Sequence, residues 1–167
     1  MSTPDPHQDV VNLIGATEIR EVRLTGINAE VHDVPTEMTV DFKAGQVEVG
    51  QNASEIIAKF EHSATFASPE GETVATISLV HAARFSYDDG LVLDDDMVGN
   101  WVFGNVYFMV YPYVRQELQD ACLRLGLPAV VLGYLKRGEL VPENISLVVT
   151  TTSLAQKRGD DPLPLDS

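Results

Sequence analysis

The chain has 167 residues, 44% of them hydrophobic, with eleven basic against twenty-five acidic side chains and a formal net charge of -14. That length suits one domain around one core, the apolar fraction is too high for a disordered chain, and the scarcity of Lys and Arg leaves no basis for gripping phosphate backbones, which excludes nucleic acid as a partner. The single cysteine, Cys122, removes an internal disulfide framework and a multi-cysteine zinc site, and on an apolar helix face it reads as a small buried hydrophobe.

From the N-terminus, no Lys or Arg precedes the short apolar cluster Val10, Val11, Leu13 and Ile14, so the segment does not read as a secretory signal and a cytoplasmic location is expected. Glu18 to Val31 alternates, with Val22 and Leu24 in one phase and Ile27, Ala29 and Val31 in the other after Gly26; a phase flip at a glycine predicts a bulged strand. Met38, Val40 and Phe42 alternate with Thr39, Asp41 and Lys43, a second strand, whereas Ala44 to Asn52 is ambiguous. Ser54 to Phe66 and Thr73 to Tyr87 alternate cleanly about a turn at Ser68, Pro69, Glu70 and Gly71, which predicts a long antiparallel hairpin with His62 and His81 on its apolar face. One apolar face per strand calls for a sheet covered on one side.

The period then changes. Asp94, Asp95 and Asp96 suit a helix N-terminus, where carboxylates accept orphan amide protons; as a cation site they are poorly spaced, because consecutive carboxylates point apart. Val106, Val110, Val114, Leu118, Ala121, Cys122 and Leu125 recur at steps of three and four, Asp120 and Arg124 are spaced to pair, Gly126 and Pro128 end the run, and Pro112 must start the helix or kink it. Met97 to Val114 carries no charge, but Asn100, Asn105, Pro112 and two glycines interrupt it and three aspartates precede it, which disfavours a membrane span. Leu127 to Leu135 is apolar and punctuated, and Ile145 to Leu154 reads as a strand or a short helix. From Gln156 onward the chain is charged and Pro-rich, so 156–167 is expected to be a disordered tail after a single domain over 1–155.

Little in the chain suggests catalysis. The four histidines lack HExxH or His-x-His spacing, no phosphate-cradling or nucleophile-elbow motif occurs, and a pair at His62 and His81 falls short of the three or four ligands of most metal sites, so hydrogen-bonded core histidines are the better reading. Half of the aromatic residues, among them Trp101, Phe103, Tyr107, Tyr111 and Tyr113, crowd into residues 101–113, more than one helix buries against one sheet face, which points to an oligomer interface or a binding groove.

The run Val110-Tyr111-Pro112-Tyr113-Val114-Arg115-Gln116-Glu117-Leu118, followed by Arg124-Leu125-Gly126-Leu127-Pro128-Ala129-Val130-Val131-Leu132, resembles the signature of the SecB family of bacterial export chaperones. The resemblance spans residues 17 to 135 and is specific over Tyr111 to Leu132. It implies an α+β fold, a four-stranded antiparallel sheet with helices packed on one face, and an ATP-independent holdase without cofactor that binds unfolded polypeptides or preproteins and delivers them to the SecA motor. It also implies a homo-oligomer, a dimer of dimers. The chain departs from the family pattern at Gly133-Tyr134-Leu135-Lys136-Arg137, its motor-contacting tail is not recognisable in Pro142 to Ser167, and its Tyr-Pro-Tyr element resembles divergent relatives that protect an antitoxin in toxin–antitoxin systems. On this reading Tyr111, Pro112, Tyr113, Arg115 and Glu117 start the long helix and serve assembly, while Trp101, Phe103, Tyr107, Val130, Val131, Leu132, Tyr134 and Leu135 meet the client. The competing readings are a small-ligand binding domain and a metal-dependent enzyme using His62 and His81.

Overall fold

The computed structural model describes residues 6–52, 54–87, 94–135 and 147–151. The alternating segments form β1 (Thr17–Val31), β2 (Thr39–Gln51), β3 (Glu55–Ala67) and β4 (Thr73–Tyr87), antiparallel where they pair. Leu147–Thr151, the segment readable as strand or helix, is a strand, β5; it lies parallel to β2 and gives the order β1-β4-β3-β2-β5. The antiparallel four-stranded sheet is therefore present, with a short fifth strand on one margin. The charged C-terminal segment 156–167, and with it the boundary at 155, lies outside the described residues.

Two bulges explain where the sequence pattern broke. The register of β1 on β4 shifts between Leu24 and Gly26, which returns Ile27, Ala29 and Val31 to the face already carrying Val22 and Leu24. In β2 the register shifts between Ala44 and Val47, and Gly45 is pressed so close to Glu61 that an added Cβ would stand 3.2 Å from the Glu61 Cβ. The ambiguous stretch after Ala44 is thus a strand whose alternation is interrupted, not ended. At the β3–β4 turn the Ser68 amide donates to the Glu72 carbonyl at 2.9 Å and Gly71 takes φ 86°, a conformation that favours glycine.

Pro6–Ala16 forms a helix, α1, that the sequence pattern did not mark; its Leu13 is fully buried while Val11 and Ile14 are exposed. Asp94 caps α2 (Asp95–Trp101), its carboxylate accepting from the Met97 amide at 2.8 Å. A π-helical turn, Val102–Val106, then leads directly into α3 (Tyr107–Leu125). The helical path therefore begins well before the Tyr-Pro-Tyr element, and Tyr111, Pro112 and Tyr113 do not start it. Pro112 is interior, where its missing N–H removes the bond to the carbonyl four residues back. Burial of Val98, Trp101, Val102 and Val106 fixes the earlier start. Gly126, at φ 71°, ends α3, and the Leu127 amide donates to the Cys122 carbonyl at 2.9 Å, a left-handed stop of the Schellman kind. Asp120 and Arg124 are not among the ion pairs of the described residues. No helix among those residues is long and apolar enough to cross a membrane.

The core lies between the sheet and α2–α3. Val106, Val110, Val114, Leu118 and Cys122 face Phe60, Phe66, Ile77, Leu79 and Phe85 across the interface, all nearly inaccessible, and each large apolar side chain buried this way contributes on the order of 1.5–3 kcal/mol. The cover is incomplete at the β1 margin. Ile19, Ile27 and Val31 register with Phe85, Leu79 and Ala75 and so share the helix-side face, yet all three are exposed.

Candidate functional site

The geometry that matters is set along β2. On its β3 side the strand pairs from Thr39 to Gln51 around the bulge after Ala44; on its other side, among the described residues, β5 pairs Val47–Gln51. Near the first half of β2 runs the irregular segment after α3, positioned by the Tyr111 hydroxyl, which donates to the Gly133 carbonyl at 3.0 Å, and by the Arg115 guanidinium, 4.4 Å above the Tyr134 ring. Two cavities lie between strand and segment. One of about 570 Å³ is lined by Thr36, Met38, Val40, Pro69, Pro128 and Val130, among others, and one of about 380 Å³ by Asp41, Phe42, Lys43, Ala44, Tyr107, Tyr111 and Leu135. Both border the first half of β2, one at Met38–Val40 and the other at Asp41–Ala44, as a groove whose apolar and aromatic lining is mixed with Glu37, Asp41 and Lys43.

Beneath the second cavity lies a polar stack inside the core. The His62 ring is sandwiched between Phe42, at 5.7 Å, and Tyr107, at 5.7 Å, and His62 Nε2 is 3.1 Å from the Tyr107 hydroxyl. His81 meets His62 edge-on with ring centroids 6.4 Å apart. The two histidines do not bond one another as expected; the Tyr107 hydroxyl takes that place for His62, and both ring nitrogens of His81 are buried without a partner. Burial, and then the neighbouring His81, push His62 down to about 3, and burial pushes His81 down to about 4, so both rings are neutral at physiological pH. Burial also holds the Tyr107 hydroxyl well above the usual phenol range. Among the described residues no three His, Cys, Asp or Glu side chains converge, so the pair lacks the third ligand that a metal-dependent reaction would want.

The residues expected to meet a client are distributed unevenly. Tyr107 and Leu135 line one cavity and Val130 the other. Val131 and Tyr134 line neither cavity and are exposed, at 76% and 84%, and Leu132 packs partly against the core. Phe103 is half-buried on the π-helical turn. Trp101 is elsewhere altogether: it is 1% exposed, edge-on to Phe85 with centroids 4.8 Å apart, a core residue rather than a surface one. Of the residues expected to serve assembly, Tyr111 lines the groove, Arg115 braces Tyr134, and Pro112 and Tyr113 are exposed on α3, with Glu117 partly so. Sequence reasoning missed Met38, Val40, Phe42 and Pro128 as lining. The alternation of Met38, Val40 and Phe42 gave the strand, but nothing in it said that residues 128–135 would come to lie beside it.

No family model matches the chain, and no curated protein does. Among solved structures, a Mycobacterium tuberculosis Rv1957 SecB-like chaperone, determined in complex with a ChAD peptide from the Rv1956 HigA1 antitoxin, is similar over 78% of this chain and 98% of its own, with a TM-score of 0.72 and 24% identity. The chain has a SecB-like fold. A Streptococcus agalactiae protein of unknown function also aligns, over 71% of this chain with a TM-score of 0.36 and 10% identity, too distant to inform the reading.

The SecB-like fold accounts for the sheet order of β1 to β4 and for one long helix on one face. Locally, a π-helical turn precedes that helix, and α3 carries Met109, Tyr113 and Leu123 exposed on one side. An apolar stripe of that kind on an otherwise acidic protein is a surface suited to contact with another chain.

Proposed function

We propose that this chain is an ATP-independent chaperone that holds non-native polypeptide in the groove along β2, and that its client is an antitoxin segment rather than a range of export precursors. The groove carries the reading. Phe42, Tyr111, Val130 and Leu135 offer broad apolar contact in an open channel, the kind of surface that retains extended chain without an enclosed pocket. The likeness to a SecB-like chaperone solved with an antitoxin peptide favours the dedicated client. Transfer to the SecA motor has no such support. The reading includes no catalytic step, a cytoplasmic location, and assembly as a dimer of dimers, for which the exposed Met109, Tyr113 and Leu123 on α3 and Ile19 and Ile27 on β1 supply apolar surface.

The test is light scattering of a chemically unfolded model enzyme diluted into buffer with and without the chain, in the absence of nucleotide. Suppression near equimolar ratio is expected, and it should weaken on Phe42→Ser. Unchanged aggregation at excess chain would overturn the holdase reading.

A further inference from the structure

The core holds two polar side chains that polypeptide binding does not use. His62 registers with Leu79 and His81 with Phe60, so the two histidines are diagonal neighbours on β3 and β4, and both point to the helix side. They are 2% and 0% exposed. A neutral imidazole carries a proton on one nitrogen and a lone pair on the other, and each wants a partner once water is gone. Among the described residues His62 Nδ1 and both ring nitrogens of His81 have none. A fold that keeps three such atoms dry gives up stability to do so, unless something binds them.

His62 is already oriented. Its Nε2 lies 3.1 Å from the Tyr107 hydroxyl, and with the proton on that nitrogen the lone pair falls to Nδ1, while Phe42 and Tyr107 stack on the ring. A partner that fixes tautomer and ring plane in this way is the usual support of a metal-binding histidine. The His81 ring has no hydrogen bond to hold it, so it turns about its side-chain bond to present either nitrogen. An ion bonded at about 2 Å to one nitrogen of each ring sets the centroids roughly 6 Å apart, and here they stand 6.4 Å apart. We propose that His62 and His81 form a two-nitrogen site for a soft monovalent cation, cuprous copper. Zinc asks for four ligands, and among the described residues no third His, Cys, Asp or Glu joins the pair. Imidazole suits copper, and closed-shell Cu(I) is content with two ligands in line. Desolvation grows as the square of the charge, so a divalent ion costs about four times as much in these apolar surroundings. Cys122 is out of reach, about 22 Å further along α3 than Tyr107. The Phe42 and Tyr107 rings separate His62 from the 380 Å³ cavity, which gives the ion its way in. The site stands independently of the holdase reading.

Competition with the chromophoric chelator bicinchoninate, using the full chain and ascorbate-reduced copper under nitrogen, counts the site and ranks its affinity. The chain should withdraw one equivalent of Cu(I) from the chelator. His81→Leu, shown to be folded by its urea midpoint, should weaken that capture by at least about tenfold, and His62→Phe should do the same, whereas Cys122→Ser should leave it within about twofold. X-ray absorption of the loaded protein should show two nitrogen neighbours and no sulfur. Copper should also raise the urea midpoint of the parent chain and not that of His81→Leu. Failure to withdraw Cu(I), capture that survives in folded His81→Leu, or capture lost in Cys122→Ser would overturn the site. So would a preference for zinc over Cu(I) in the same titration.

Discussion

Acidification should unfold this protein through His62 and His81, and the size of the effect follows from their burial. Both rings are neutral in the folded state, at about 3 and about 4, and in the unfolded chain both return to the ordinary value of 6.5. A histidine whose folded pKa is depressed stabilises fully above 6.5, and that stability is lost as pH falls from 6.5 toward the folded value, because the unfolded state takes up the proton first. Between pH 7.5 and pH 5 each such ring costs about 2 kcal/mol, and the pair about 4 kcal/mol, a large fraction of the 5–15 kcal/mol typical of a domain. His81→Leu should halve that loss. Because both His81 nitrogens are buried without partners, the same substitution should be neutral or stabilising by about 1–2 kcal/mol at pH 7.5. Urea unfolding at pH 7.5, 6 and 5, followed by Trp101 fluorescence, measures both quantities. Equal losses in the parent and in His81→Leu would refute the reasoning.

Other substitutions probe separate parts of the account. Tyr107→Phe leaves His62 Nε2 without its partner and should cost about 1–3 kcal/mol in urea unfolding, with the groove keeping its shape. Asp94→Ala removes the α2 cap and should cost about 1 kcal/mol, seen as a lower urea midpoint at unchanged slope. Gly126→Ala forces a side chain into the left-handed stop of α3 and should cost about 1 kcal/mol by the same measurement. Tyr111→Phe frees the Gly133 carbonyl, so it should speed amide exchange across 130–135 while changing global stability by less than about 1.5 kcal/mol.

The sheet was legible because four strands carry one apolar face each: the alternation through Ile56, Ala58, Phe60, Ala64 and Phe66 survives intact in β3. Even the bulge at Gly26 was marked, since an extra residue shifts the phase of everything after it. The second bulge hid the rest of β2, because a register change in the middle of a strand looks like loss of pattern. The helix start was misplaced for a similar reason. A proline is a strong start signal, and the burial of Trp101, Val102 and Val106 that overrides it depends on the facing sheet, which no local pattern reports. The same dependence buries Trp101 against Phe85 and brings Phe42 to a cavity wall. Tyr107 was legible as a candidate because aromatic crowding exceeded what one helix face can hide, whereas Val130 and Leu135 were candidates through the family resemblance. Which of them reach the groove was settled by the path of residues 128–135 along β2.

The central claim is that non-native polypeptide lies in the groove between β2 and residues 128–135. Amide hydrogen exchange of the full chain, with and without the unfolded model enzyme, reads that directly. The account predicts slowed exchange in residues 36–44 and 128–135, with the solvent-side positions of β3 and β4 unchanged; protection confined to other segments, or none in a sample that suppresses aggregation, would contradict it.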